Sequence, residues 1–112
     1  MKDDVPYIRH MRDAVDDILQ YATAGHDAFL ADSMRQDAVI RKLEVLGEAA
    51  KHLSEAMKSR RPDVPWREIA GMRDKMIHEY FGVNLEIVWT VVERELPILK
   101  RALDELLESG SV

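Results

Sequence analysis

The sequence predicts an all-α fold, an up-and-down bundle of about four to five helices that forms a homodimer. Apolar residues recur at steps of three and four along nearly the whole chain, which is the period of a buried helix face. No segment keeps the strict alternation of a strand, and prolines and glycines separate the periodic segments. With 112 residues, we expect residues 1–112 to form a single domain.

The first helix is predicted to begin near Pro6, because proline is well tolerated in a first turn. Gly25 is a plausible stop signal, and a short helical turn over residues 28–31 is expected to follow. The inner face is formed by apolar residues at helical spacing: Ile8, Met11, Val15, Ile18 and Ala22.

A second, long helix is predicted to open with Ser33 and Gln36, which have the spacing of a capping box. It must end before Pro62. Gly47 in its middle costs about 1 kcal/mol relative to alanine, which suggests that another backbone or side chain comes close there. Its inner face is predicted to contain Val39, Leu43, Leu46, Ala50, Leu53 and Met57.

Pro65 is placed to begin a third helix, with Trp66 in its opening turn and Gly82 as its end. One side of this helix carries Ile69, Met72, Met76 and Tyr80.

Asn84 is predicted to cap a fourth helix, and Pro97 to kink or divide that helix near Leu96. The residues predicted to face inward are Val88, Val92, Leu99, Leu103 and Leu106.

Further apolar residues beside these inner faces predict self-association, since one bundle has limited interior to bury them. They are Tyr7, Ala14 and Tyr21 in the first helix, and Ile87, Val91 and Ile98 in the last.

The charge of the chain restricts how it could bind nucleic acid. A net charge of −5 makes broad, sequence-blind binding unfavourable, because such binding depends on neutralising phosphates. A local basic patch is possible, and Arg61, Arg67 and Lys75 are its candidate RNA-binding residues; a solvated helix end is the alternative. The patch occupies eighteen positions and comprises Lys58, Arg60, Arg61, Arg67, Arg73 and Lys75.

Several classes of site lack sequence support. The chain has no cysteine, and its four histidines include no pair three to five residues apart, so we expect no metal site. No glycine-rich phosphate loop and no serine triad is recognisable, and no cofactor is implied. Without a signal-peptide pattern or an apolar run of about 18 residues, we expect a cytoplasmic protein with no membrane segment.

The stretch RDKMIHEY, residues 73–80, is the strongest candidate for chemistry. At about 100° per residue, Arg73 and Tyr80 share one helix face, and Asp74 and His78 share another, so Asp74 could orient His78. Arg73 and His78 are about 140° apart and do not lie side by side on a straight helix. A helix ending near His78, or a two-fold axis beside the helix, could bring them into one cleft.

These residue types suit metal-free cleavage of RNA. Histidine can move a proton near neutral pH, and arginine presents a planar fork that matches phosphate. Together they suit attack of a ribose 2′-hydroxyl on the adjacent phosphate. Tyr80 could hydrogen-bond a phosphate, stack on a base, act as a nucleophile or accept a modifying group. A purely structural His78 on a packed helix remains an alternative.

RDKMIHEY resembles the R-x4-H-x-Y motif of the HepT toxins, a branch of the HEPN superfamily. The flanking segments are similar to that family as well: LEVLGEAAKHLS at residues 43–54, VPWREIAGMRDK at 64–75 and YFGVNLEIVW at 80–89. The resemblance extends from about residue 7 to residue 107.

This resemblance implies an all-helical homodimer that acts as a metal-independent endoribonuclease on RNA, with the two motif copies meeting at a cleft. Arg73 and His78 would be the catalytic pair, and Asp74 would assist. Tyr80 would be modified with AMP by a cognate MntA-type minimal nucleotidyltransferase antitoxin. The protein would then be the toxin of a type II toxin–antitoxin pair. The second hypothesis is a non-enzymatic helical subunit that binds a nucleotidyltransferase partner or a nucleotide.

Overall fold

The computed structural model describes residues 3–76 and 82–110, and this part of the chain is α-helical without a β-strand, as predicted. The helices are α1 Val5–Tyr21, α2 His26–Ala31, α3 Ser33–Lys51, α4 Glu55–Ser59, α5 Trp66–Ala70, α6 Met72–Met76, α7 Leu85–Thr90 and α8 Leu96–Gly110, with a π-helical turn at Val91–Glu95. α1 packs along α3 and α8, and α5 and α6 pack against α3. No helix among the described residues combines the length and the apolar run needed to cross a bilayer.

The predicted inner faces form the core. Every apolar residue predicted to face inward in α1, in α3 and α4, and in α7 and α8 is buried. Full burial of a Val, Leu, Ile or Met side chain contributes about 1.5–3 kcal/mol, so these faces supply the main driving force for the bundle. Phe29 of α2 adds a fully buried aromatic ring, which packs on Trp89 at 5.5 Å between ring centroids.

The beginning of α3 differs from the prediction. Ser33 is the first helical residue, and the cap is Asp32, whose Oδ1 accepts two backbone N–H groups of the first turn at 3.0 and 3.2 Å. Gln36 donates instead to two carbonyl oxygens at the end of α2, each 3.0 Å away. The predicted capping box is therefore wrong: Asp32 accepts both N–H groups, and Gln36 connects α3 to α2.

The long second helix is also shorter than predicted, because it ends at Lys51 and α4 follows as a separate helix. Ser54 caps α4, its Oγ accepting the Met57 N–H at 3.1 Å. The same residue donates its N–H and its hydroxyl to the Asp4 carboxylate, at 2.7 and 2.6 Å. Asp4 is only 9% exposed, so these bonds supply the partners that a buried carboxylate needs. They fasten the start of α1 to the α3–α4 junction.

Gly47 marks the close approach that its place in a helix suggested. A Cβ atom at this position would lie 3.0 Å from the carbonyl oxygen of Ile69 and 3.5 Å from that of Ala70. The backbone of α5 therefore lies directly against α3, and a residue with a Cβ at position 47 would require that backbone to shift by a few tenths of an ångström.

The predicted third helix is two short helices, α5 and α6, separated at Gly71. Trp66 is 7% exposed and donates its indole N–H to the carbonyl oxygens of Lys58 and Arg61, at 3.1 and 3.0 Å. Ile69, Met72 and Met76 are buried as predicted, whereas the fourth member of that face, Tyr80, lies outside the described residues.

Both predictions for the C-terminal helix are confirmed. The Asn84 side chain caps α7, since its Oδ1 accepts N–H groups of Glu86 and Ile87 at 3.1 and 3.2 Å. Pro97 is the second residue of α8, and the turn before it is the π-helical Val91–Glu95. Proline has no N–H and its ring clashes with the preceding turn of an α-helix, so a wider turn accommodates it.

Much of the apolar surface expected to drive self-association is buried within one chain. Ala14 and Val91 belong to the core, and three other members of the set are partly buried. Ile98 remains 57% exposed. The homodimer stays a prediction.

Candidate active site

Arg73 lies at the second position of α6 and its side chain is 71% exposed. Its Nε atom is 3.6 Å from Oε2 of Glu44 on α3. The pair spans the α3–α6 contact, near the place where Gly47 lets α5 approach. Ion pairs this exposed contribute about 0–1 kcal/mol, so the guanidinium can exchange this carboxylate for a phosphate at small cost.

Asp74 follows Arg73 and is also exposed. Among the described residues it makes no hydrogen bond or ion pair. The structure thus brings the first two predicted site residues to one exposed end of α6. His78 and Tyr80 lie outside the described residues, so the predicted contacts of His78 with Asp74 and of Tyr80 with Arg73 stay predictions.

The predicted RNA-binding residues differ in their surroundings. Arg61 binds Asp63 through Nε and Nη2, at 2.9 and 2.8 Å, and its Nη1 donates to Glu105. The hydrogen bonds to Asp63 raise the pKa of Arg61, and the same bonds lower the pKa of Asp63. Two carboxylates therefore already balance this guanidinium. Arg67 is exposed and has no ion pair among the described residues, whereas the side chain of Lys75 lies outside the description.

A cleft of about 440 Å³ opens beside Arg73, bounded by α1, α3 and the α5–α6 segment. Three cations, Arg41, Lys51 and Arg73, face only two carboxylates, so the cleft is net positive in an acidic chain. The basic patch predicted at residues 58–75 shares only Arg73 with the cations of this cleft, and the cleft itself was not predicted. The available signal was the polar face of α3, where the four charged residues of the lining recur at helical spacing: Arg41, Glu44, Glu48 and Lys51.

Two aromatic rings lie at this cleft. The rings of Tyr7 and His52 are stacked, with centroids 5.0 Å apart and planes inclined by 13°. Tyr7 is partly buried and belongs to α1, whereas His52 follows α3 and is exposed. His10 also lines the cleft from α1. The cleft therefore combines cationic groups with a stacked aromatic surface.

The remaining described histidine, His26, has a different environment. Its Nε2 atom lies 3.1 Å from both carboxylate oxygens of Glu86, and its Nδ1 lies 3.3 Å from Oδ1 of Asp27. Hydrogen bonding to Glu86, supported by Asp27 and opposed by partial desolvation, raises the pKa of His26 above its usual 6.5. This cluster joins α2 to α7. Within residues 3–76 and 82–110, no group of three or more His, Asp and Glu residues is arranged to hold a metal ion.

Comparison with known proteins identifies the family. The model of the family described as "HepT-like: Ribonuclease HepT-like" matches residues 11–106. The chain belongs to the HepT-like ribonuclease family. The match includes the whole motif at residues 73–80 and the lining residues Arg41 and His52, whereas Tyr7 and His10 precede it. The resemblance inferred from RDKMIHEY and its flanking segments is confirmed.

Three relatives illustrate this HepT-like similarity. "Putative RNase TTE0752" of Caldanaerobacter subterraneus subsp. tengcongensis is 38% identical over 109 residues, covering 96% of this chain and 97% of its own. "Probable ribonuclease HepT" of Thermococcus cleftensis is 47% identical over 78 residues, covering 70% and 71%. "Putative RNase MJ0127" of Methanocaldococcus jannaschii is 46% identical over 82 residues, covering 73% and 68%. No solved structure matches this HepT-like chain significantly.

Proposed function

We propose that this HepT-like protein is a metal-independent endoribonuclease with Arg73 and His78 as its catalytic pair. The observation that carries the proposal is the family match over residues 11–106, which contains the complete motif. The exposed position of Arg73 at the edge of a net-positive cleft supports it, because a substrate phosphate can reach the guanidinium. The domain is proposed to comprise residues 1–112 and to act in the cytoplasm.

The proposed reaction is internal transesterification of RNA. His78 takes the proton of a ribose 2′-hydroxyl, and the 2′-oxygen bonds to the adjacent phosphorus. The bond from phosphorus to the 5′-oxygen breaks, and that oxygen leaves with a proton from water. The products are a 2′,3′-cyclic phosphate and a 5′-hydroxyl. Arg73 stabilises the charge that develops on the phosphate, and Asp74 accepts a hydrogen bond from His78 and orients its ring.

A homodimer completes the proposed site. If the helix continued straight to His78, Arg73 and His78 would be about 140° apart and their side chains would diverge within one copy. A two-fold axis beside α6 allows the arginine of one copy and the histidine of the other to line the same groove. The exposure of Arg73 and Asp74 on α6 leaves this surface open to such pairing.

RNA contacts outside the catalytic pair are proposed for Arg67 and Lys75. For Arg67 this role is supported by its exposed position and by the lack of an ion pair among the described residues. Arg61 was predicted with them, but a phosphate must compete there with Asp63 and Glu105. We therefore expect its contribution to be the smallest of the three.

The biological role proposed is that of a toxin silenced by a cognate MntA-type nucleotidyltransferase antitoxin. The antitoxin transfers AMP from ATP to the hydroxyl of Tyr80, two residues after His78: the tyrosine oxygen bonds to the α-phosphorus, pyrophosphate leaves, and the hydroxyl proton passes to solvent. The added phosphate and adenosine fill space near the catalytic pair and repel the phosphates of RNA. Membership of the HepT-like family supports this role.

The test is cleavage of single-stranded RNA in EDTA by the wild-type protein and by Arg73→Ala and His78→Ala. We expect each variant to be slower by at least about 100-fold, the usual effect of losing a general base or a charge-stabilising donor. Arg101→Ala is a matched control, since Arg101 is exposed on α8 and does not line the cleft. Undiminished cleavage by both site variants would refute the catalytic assignment. Normal growth and intact RNA on induction without a partner would favour the non-enzymatic binding subunit.

A further inference from the structure

We propose that the cleft beside Arg73 contains a binding subsite for one nucleotide of single-stranded RNA, with the base on His52 and a phosphate on Arg41. Its role as a substrate subsite rests on the proposed ribonuclease function, although its occupancy can be measured without cleavage. The subsite assigns a task to residues outside the motif at 73–80.

The stacked pair of Tyr7 and His52 supplies the surface for the base. The ring centroids are 5.0 Å apart and the planes are nearly parallel, at 13°. Tyr7 is partly buried and lies behind His52, which is exposed. A base of the RNA can therefore stack on the exposed His52 ring. Unpaired RNA bases stack on histidine and other aromatic side chains, whereas bases in a duplex are already stacked on one another. The geometry therefore favours a single strand.

Arg41 supplies the phosphate contact. It lines the same cleft, is exposed, and has no hydrogen bond or ion pair among the described residues. The other two cations are already paired: Lys51 is 3.2 Å from Glu48, and Arg73 is 3.6 Å from Glu44. Arg41 is thus the cation of the lining with its full charge available to an incoming anion.

The size and charge of the cleft fit one nucleotide rather than a long tract. Its volume, about 440 Å³, lies within the range of about 300–1,000 Å³ typical of small-ligand sites. The two carboxylates, Glu44 and Glu48, discourage a dense run of phosphates, whereas Arg41, which has no ion pair within the described part of the chain, supports a single one. Because Arg73 lines the same cleft, a nucleotide bound here is adjacent to the phosphate that Arg73 is proposed to stabilise.

The experiment measures binding of a fluorescein-labelled single-stranded RNA by anisotropy in EDTA. The RNA carries 2′-O-methyl groups throughout, which removes the proposed nucleophile. We expect His52→Ala to weaken binding by about 5- to 100-fold, the usual effect of losing a base-stacking side chain, and His52→Phe to retain it. Arg41→Ala is expected to reduce the salt dependence by about 0.7 in log Kd against log salt, the effect of one phosphate contact on a single strand.

Arg101→Ala is the matched control, because it removes the same charge from an exposed position away from the cleft. Wild-type affinity for both His52→Ala and Arg41→Ala would overturn the subsite, as would an equal loss in Arg101→Ala and Arg41→Ala. If His52→Ala does not fold, Arg41→Ala decides the question. Binding that depends on His52 and Arg41 without any cleavage of unmodified RNA would reject the ribonuclease and retain the subsite. Cleavage of unmodified RNA by the wild type, with binding unaffected by His52→Ala and Arg41→Ala, would retain the ribonuclease and reject the subsite.

Discussion

Arg73 Nε lies 3.6 Å from Glu44 Oε2, so the arginine of α6 that is predicted to act on RNA forms an ion pair with a carboxylate of α3 that lines the cleft. The pair is exposed enough to be weak, yet it positions the guanidinium before substrate arrives. Glu44 therefore has two opposing effects, since it orients Arg73 and adds negative charge where a phosphate must bind.

Replacing Glu44 by glutamine separates these effects. Glu44→Gln leaves a side chain of similar size and removes one of the two carboxylates from the lining. We expect RNA binding to tighten by a few-fold and unfolding free energy to change by less than about 1 kcal/mol, as for other exposed ion pairs. Anisotropy titrations and urea unfolding measure both. Glu93→Gln is the control, because Glu93 is exposed and lies outside the cleft. A tenfold weaker affinity in Glu44→Gln would show that orientation, not repulsion, dominates.

Gly47→Ala tests whether the contact between α3 and α5 positions Arg73. The new methyl group would lie 3.0 Å from the carbonyl oxygen of Ile69, so backbone must move. Overpacking of this kind costs about 1–3 kcal/mol, and the gain in helix propensity offsets about 1 kcal/mol. We expect a net loss of up to about 2 kcal/mol in unfolding free energy, with a lower kcat/KM for RNA.

Gly71→Ala is the natural comparison for that substitution. Its new Cβ would be no closer than 3.5 Å to another atom, which is an ordinary contact. We expect unchanged or slightly higher stability in urea unfolding. Equal behaviour of Gly71→Ala and Gly47→Ala would contradict a special role for the close approach at Gly47.

The cluster of His26 and Glu86 predicts a pH-dependent contribution to stability. The folded-state pKa of His26 is raised above 6.5, so protonated His26 is favoured by folding. The associated stabilisation is fully present below pH 6.5 and is lost as pH rises through the higher folded-state pKa. Glu86→Gln removes the largest cause of the raised His26 pKa. Urea unfolding measured from below pH 6.5 to above the folded-state pKa is expected to show that the variant loses less unfolding free energy than the wild type as pH rises. An NMR titration of His26 in the wild type and in Glu86→Gln provides the control. Identical titration curves would contradict Glu86 as the main cause of the raised His26 pKa.

The core was predictable because burial follows the helical period. Val39, Leu43 and Leu46 recur at three- and four-residue steps, and a helix with that pattern has one face to bury. Helix ends were less predictable, since neighbouring polar residues compete for the same N–H groups. Asp32, directly before Ser33, caps the helix instead: its side chain accepts the Met34 and Arg35 N–H groups, and its carbonyl oxygen accepts the Gln36 N–H that the capping box assigned to Ser33.

Spacing along the chain could show the charged face of α3 but not the whole cleft. Arg41 and His52 lie on and directly after α3, whereas Tyr7 belongs to α1, and only the packing of α1 on α3 brings it beside them. Arg61 was predicted to bind RNA because it lies near other basic residues in the sequence, but in the fold it forms ion pairs with Asp63 and Glu105. Motif residues were recognisable because family patterns are local, whereas a binding surface depends on tertiary contacts.

A shared site predicts complementation between two inactive variants. If Arg73 of one copy works with His78 of the other, a mixed dimer of Arg73→Ala and His78→Ala keeps one intact arginine–histidine pair and lacks both groups of the second pair. Random mixing makes half the dimers mixed, so about a quarter of wild-type activity should return. Light scattering establishes the dimer, and native mass spectrometry confirms that mixed dimers form. Mixed dimers without activity would place both groups in one chain.

The final prediction concerns Tyr80 and the antitoxin. Co-expression with a cognate MntA-type nucleotidyltransferase should raise the intact mass of the protein in steps of an AMP unit. RNA cleavage should fall with the modified fraction, because each AMP adds negative charge and bulk only two residues from His78 in the sequence.

Tyr80→Phe is the decisive variant for this claim, because it removes only the acceptor hydroxyl. We expect it to gain no mass and to keep its ribonuclease activity in the presence of the antitoxin. Tyr7→Phe is the matched control, since it removes the hydroxyl of a tyrosine that lines the cleft from α1 and should still be modified at Tyr80. An AMP-sized gain in Tyr80→Phe would assign the acceptor to another residue. Modification of Tyr80 without loss of cleavage would show that AMP on this residue does not inhibit the ribonuclease. A charged group that leaves catalysis intact cannot occupy the path of the substrate phosphate.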